Sequence, residues 1–142
     1  MTTTTQVLGV ARRFVADERT AQSYGLGTSV DFTKFTDAKY AQEDGSKIVP
    51  AGTVVALDAA GKVVPPVTTA GSESKEVYVL KADAWSRNLQ GGSKGHVGLF
   101  SAGGLYENYL PDAVGGALPA ALRTLVLKRF TLQAHPSGFV TT

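Results

Sequence analysis

Side-chain catalysis needs an acid, base or nucleophile held beside a partner group, and few residues here can serve. The chain has two histidines, His96 and His135, and no cysteine. That excludes a cysteine nucleophile, a thiolate zinc site, an iron–sulfur cluster and a three-histidine metal site. As a general base, His96 would want Asp83 or Glu107 near it in space; otherwise it is a solvated histidine at a strand edge. His135 precedes a proline in a terminal loop and reads as ordinary. Ser93, Ser101 and Ser137 stand near glycines, but none has the G-x-S-x-G context of a nucleophile elbow. The stretch Gly91-Gly92-Ser93-Lys94-Gly95 lacks the spacing of a phosphate-binding loop and is followed by strand-like residues rather than a helix. Asp31 and Asp37, or Glu43 and Asp44, do not make a calcium loop. The expectation is a protein that is not an enzyme and has no metal or cofactor.

The remaining candidates suit contact rather than chemistry. Tyr78, Trp85, Phe100, Tyr106 and Tyr109 sit in or beside apolar runs. An RNA-stacking sheet would want basic neighbours, and those are sparse. The net charge is only +2, from 14 basic and 12 acidic residues, too weak and scattered for a nucleic-acid binder. Trp85 stands where a strand leaves its sheet, and a tryptophan there suits a subunit interface as well as a core. Tyr106 and Tyr109 join it as tentative interface residues.

The elements that position these groups read mainly as strands. With 142 residues and 43% hydrophobic composition, the chain can bury a core unaided. No apolar run is long enough for a transmembrane helix, and the start shows no secretory signal. The expected site of synthesis is therefore a cytoplasm. Residues 1–6, with Thr2, Thr3, Thr4, Thr5 and Gln6, read as the polar tip of an arm; Val7, Leu8, Val10 and Phe14 follow, interrupted by Arg12 and Arg13, and this piece pairs as a strand or forms a short helix. Residues 20–47 read as mostly irregular. In 48–66, two β-branched runs flank Asp58-Ala59-Ala60-Gly61, which predicts a hairpin. Pro65-Pro66 must stop its second strand or place it at an edge.

Glu76–Leu80 predicts a strand. Residues 90–95 predict a turn, and His96–Phe100 a further strand. Ser101–Gly104 predicts another turn, and Leu105–Leu110 the partner of the strand before it. Leu118, Ala121, Leu122 and Leu125 have helical spacing, and Pro119 suits a first turn. From Val126 to Leu132 the apolar residues alternate, so the chain either turns into a strand near Lys128 or stays helical to Phe130. Frequent turns suit a small all-β barrel or sandwich.

The order of segments from Ile48 onward resembles the phage lambda-type head decoration (capsid cementing) proteins. Residues 50–65 look like that family's opening hairpin, and 77–84 like its central strand with an alanine/aspartate exit. Residues 97–111 look like its hairpin before a helix, and 118–133 like its terminal helix-then-strand. The likeness spans about residues 48–133. It implies a fold that is mainly β with one short helix, a small β-barrel or β-tulip-like domain (15–142) carrying an extended N-terminal arm (1–14). It also implies a trimer on the outer surface of a tailed-phage virion, bound to the major capsid protein, with no direct nucleic-acid or membrane contact. The arm, Thr2–Val10 with Arg12 and Arg13, would dock on the expanded capsid. Residues 15–47 and 134–142 have no counterpart in that family.

Three rival readings remain. One is a tail-tube or head–tail joining subunit. Another is a small hydrolase using His96 with Asp83 or Glu107. The third is a carbohydrate-binding module using Trp85 and Tyr106.

Overall fold

The computed structural model describes residues 14–25, 27–43, 45–86 and 95–134. The fold is mainly β with one helix. Its elements in order are β1 (Val15–Ser23), β2 (Thr28–Ser29), β3 (Ile48–Val49), β4 (Val54–Leu57), β5 (Val63–Val64), β6 (Tyr78–Leu80), β7 (Ala84–Trp85), β8 (His96–Val97), β9 (Leu99–Tyr106), α1 (Ala120–Val126) and β10 (Phe130–Gln133). Single 3-10 turns cover Phe32–Lys34, Ala38–Tyr40 and Glu107–Tyr109. The main sheet has six strands in the order β1-β9-β6-β4-β5, with β10 also on β9. The pairs β2-β8 and β3-β7 form small separate sheets.

The central strands β4 and β6 and the start of β9 are buried on both faces, and the alternation along them sorts side chains between two cores. Val54, Val79 and Phe100 face one core, which α1 closes with Leu122, Leu125 and Val126. Val55, Tyr78, Leu80 and Leu99 face the other, which Val30, Phe35, Tyr40 and Val97 complete. A strand buried on both sides has no polar face, so its sequence reads as a continuous apolar run. That explains the unbroken Val54-Val55-Ala56-Leu57 and Tyr78-Val79-Leu80.

The hairpin forms as its sequence predicts. Ala56 pairs with Val64 and Leu57 with Val63. Asp58 Oδ1 accepts from the amides of Ala60 and Lys62, both at 2.9 Å, and Gly61 takes a φ of +80°. β5 ends at Val64, immediately before Pro65-Pro66. The helix-then-strand alternative also forms: α1 stops at Val126, and β10 runs parallel to β9 from Phe130. Phe130 is buried and Thr131 exposed, the period of two expected of a strand rather than a helix.

Other expectations are corrected. The turn at Ser101–Gly104 is not a turn: β9 runs unbroken through it from Leu99 to Tyr106. The predicted strand at Leu105–Leu110 is the end of β9 followed by a 3-10 turn. These glycines serve close approach instead. Gly103 has a φ of +142°, and a Cβ there would stand 2.8 Å from the Ala21 Cα of β1. The pairing of β1 with β9 shifts register three times, the signature of bulges that bend a strand. Strand β1 itself, in a segment with weak apolar alternation, gains its ladder from β9 rather than from its own pattern.

The sheets do not close into a barrel. The main path ends at β1 and β5, and the outer side of β5 takes a parallel bridge from Val30 to Val63. A two-residue strand halted by Pro65-Pro66 has too few donors left for a further full ladder. Among the described residues, no helix is long and apolar enough to cross a membrane.

Candidate interaction surface

The carboxylates considered for catalysis hold backbone instead. Asp83 is buried, and its Oδ1 accepts from the Ala51 amide at 2.7 Å, which fixes the turn before β4. Glu107 Oε2 accepts from the Leu118 amide at 2.8 Å and from Arg123 Nε at 3.0 Å, which ties the entry of α1 to the end of β9. His96 is exposed on β8, in register with Ser29. The structure thus engages Asp83 and Glu107 at two other places, each on a main-chain amide. Among the described residues, no three His, Asp or Glu side chains gather as a metal site.

The aromatic candidates separate. Tyr106 and Tyr109 meet edge to face, 6.1 Å apart at 83°, and both are half-buried where β9 gives way to the 3-10 turn. Trp85 is half-buried on β7, opposite Ile48 of β3. Tyr106 therefore stacks with Tyr109, while Trp85 belongs to a different sheet. The arm residues Thr2, Thr3, Thr4, Thr5, Gln6, Val7, Leu8, Val10, Arg12 and Arg13 lie outside the described residues, as do the turn at 90–94, Ser93, His135 and Ser137.

The arm's root is described. Phe14, assigned to the arm from sequence, is 2% exposed and belongs to the first core. Its carbonyl accepts from the Tyr106 amide at 2.7 Å. Its ring and Pro111 both cover Gly52: a Cβ there would stand 3.0 Å from Phe14 Cδ2 and 3.1 Å from Pro111 Cδ. Gly52, at a φ of +88°, is required both by that approach and by its backbone.

Two polar clusters were not foreseen from sequence. Asp112 Oδ2 accepts from the Val54 amide at 2.8 Å, and its Oδ1 accepts from Lys39 Nζ at 2.9 Å. Burial lowers the Lys39 ammonium, but the hydrogen bond and charge of Asp112 outweigh it, so the group is raised overall. The second cluster lies beside a shallow cleft of about 430 Å³ lined by Ala56, Leu57, Ser74, Lys75, Glu76 and Tyr78. There the Tyr78 hydroxyl donates to Glu76 Oε2 at 3.0 Å, and Arg129 Nη2 donates to Glu76 Oε1 at 2.5 Å. A sequence marks such residues as charged, but it does not say which amide or cation a carboxylate will reach across 53 residues.

No protein-family profile, curated protein or solved structure matches this chain.

The Glu76 cluster gives a pH prediction. The Tyr78 hydroxyl, and then Arg129, hold the Glu76 carboxyl below its ordinary value of 4.5. A carboxyl depressed on folding stabilises the fold above its unfolded value, and that contribution is lost as pH falls through the folded value. Wild type should therefore melt higher than Glu76→Gln at neutral pH, with the gap closing on acidification below the ordinary carboxylate range. Thermal unfolding of both proteins across that range checks it. A gap that stays constant with pH would refute the assignment.

Proposed function

We propose that this protein is a structural capsid-decoration subunit of a tailed phage. It binds as trimers to the outer surface of the expanded capsid and stabilises that shell against internal DNA pressure. The observation that carries the reading is the helix-then-strand unit. α1 closes the first core, and β10 then lies parallel to β9, after the hairpin of β4 and β5 and the strand β6; the hairpin that the resemblance implies over 97–111 is instead the single strand β9 and a 3-10 turn. The use of Asp83 and Glu107 as backbone clamps suits a protein whose work is contact.

The physical logic needs no chemistry. An extended arm can add main-chain hydrogen bonds to a sheet edge of the major capsid protein. Ordering the arm costs conformational entropy, so one copy binds weakly. Three linked copies and many sites on a shell offset that by avidity. Phe14, fixed in the core, gives the arm a rigid root.

Co-sedimentation with undecorated expanded capsids, beside unexpanded shells, tests the reading. Saturable binding to expanded shells alone, at a trimer per local threefold position, is expected. A protein lacking residues 1–13 should lose that binding and keep its melting temperature. The cut stops before Phe14 because removing a core ring would confound folding with binding. Absence of wild-type binding to either shell would overturn the proposal.

A further inference from the structure

The main sheet comes apart beside the end of β4. Ala56 and Leu57 lie opposite Val64 and Val63 of β5, and Asp58 N donates to Lys62 O at 2.9 Å. In an antiparallel ladder, successive residues turn their main-chain groups to opposite neighbours. Asp58 and Ala56 therefore turn theirs to β5, and Leu57 turns its amide and carbonyl to the side of β6. Val55, of the same parity as Leu57, meets Tyr78 there, and Thr53 O accepts from Leu80 N at 3.1 Å. Glu76 would be the next partner, opposite Leu57, but β6 begins only at Tyr78. Among the described residues, no main-chain group bonds to the Leu57 amide or carbonyl.

The cleft of about 430 Å³, lined by Leu57, Ser74, Lys75, Glu76 and Tyr78 with Ala56, occupies the place of that missing pair. Its volume falls within the roughly 300–1,000 Å³ of small-ligand clefts. One wall is held firmly: Ser74 N donates to Val67 O, and Ser74 Oγ accepts from Val67 N, both at 2.9 Å. The Ser74 hydroxyl keeps its own proton to donate.

The charge around the gap is mostly positive. Lys75 lines it, Lys128 Nζ reaches the Lys75 carbonyl at 3.5 Å, and Arg129 Nη2 donates to Glu76. Three cations thus stand against the single carboxylate of Glu76, which already accepts from Tyr78 and Arg129. The nearest other carboxylates in sequence, Asp58 and Glu73, accept from amides of their own turns.

We propose that this gap binds the carboxy-terminal residue of an extended peptide. A strand entering beside β4 is stopped where Val55 meets Tyr78, so only a chain end fits. Running antiparallel to β4, that end is a carboxylate; running parallel, it is an ammonium. The cations select the carboxylate. Its one oxygen accepts from the Leu57 amide, the other faces Lys75, and the last peptide N–H donates to the Leu57 carbonyl. This is strand addition limited to one residue, with an anionic end as its specificity. It stands apart from the decoration reading, and its test needs no capsid.

The test is an amide NMR titration of the full, ¹⁵N-labelled chain. The probes are acetyl-Ala-Ala-Ala with a free carboxyl end, the same peptide as its carboxy-terminal amide, and acetate. The free acid should shift the Leu57 amide saturably. Amidation should weaken binding about tenfold, because the charge-assisted bonds are lost. Lys75→Gln should weaken the acid by up to about fivefold and leave the amide unchanged, since an exposed ion pair is worth little more. Lys34→Gln, which removes the same charge elsewhere, should bind as wild type does. Lys34 and Lys75 are both exposed, so both variants should keep the wild-type spectrum away from the substituted residue. Equal binding of acid and amide would overturn the proposal. So would acetate binding as tightly as the peptide, which would mean that the gap takes a small anion only. No saturable shift at Leu57 with millimolar free acid would overturn it outright.

Discussion

Replacing Gly103 with valine is expected to cost about 3–5 kcal/mol, from backbone strain and overpacking together. Gly103 sits inside β9 at a φ of +142°, and a Cβ there would lie 2.8 Å from Ala21 Cα and 3.3 Å from Ala21 N. The clash is with backbone, so no rotamer change can relieve it. β1 would have to move off β9, and with it Val15, paired to Leu105, and the Phe14 carbonyl, paired to Tyr106. The loss is a large share of the ~5–15 kcal/mol that holds a typical domain. Urea unfolding of wild type, Gly103→Ala and Gly103→Val should show midpoints falling in that order. An unchanged midpoint for the valine variant would mean that β1 does not press on β9 as described. The neighbouring Gly104 has less severe contacts, with Thr131 Oγ1 nearest at 3.3 Å, so Gly104→Ala should cost less.

Asp112→Ala is expected to cost about 2–3 kcal/mol, mainly because a charge-assisted bond to a backbone amide is lost. The Asp112 side chain is 8% exposed, whereas Lys39 is 48% exposed. The two partners of the carboxylate are therefore unequal. The Val54 amide has no alternative once the carboxylate is gone, and an unsatisfied amide at the edge of a core carries its desolvation penalty. The lysine simply returns to water, and an ion pair with one exposed member is worth at most about 1 kcal/mol. Lys39→Ala should accordingly cost much less than Asp112→Ala. Asp112→Asn should fall between, since its carbonyl oxygen can still accept from Val54. Chemical unfolding of the three variants decides the point: equal losses from Lys39→Ala and Asp112→Ala would place the energy in the ion pair instead.

The hairpin at 54–64 and the strand at 78–80 were legible in the sequence because local pattern decides them, whereas the switch from α1 to β10 was one of two readings that the sequence left open. Asp58 and Gly61 make their turn with neighbours a few residues away. Pro65-Pro66 removes two amide donors wherever it lies. A change in apolar spacing from helical to alternating marks where Leu125 and Phe130 can share one core. The scarcity of histidine and the absence of cysteine also follow from composition alone.

What the sequence left open depends on partners distant along the chain. Gly103-Gly104 reads as a turn because glycine commonly makes turns, and only the approach of β1 turns it into a bulged strand interior. Asp83, Glu107 and Asp112 look alike as acidic residues. Tertiary structure decided that they clamp the amides of Ala51, Leu118 and Val54, since a hydrogen bond is fixed by position in space. Phe14 reads as the end of an arm until Gly52 and Pro111 close around it. The sequence by itself determined the local turns, the periodicities and the available chemistry. Tertiary structure decided which surfaces face water and which groups meet, because those are set by contacts that no short stretch of sequence contains.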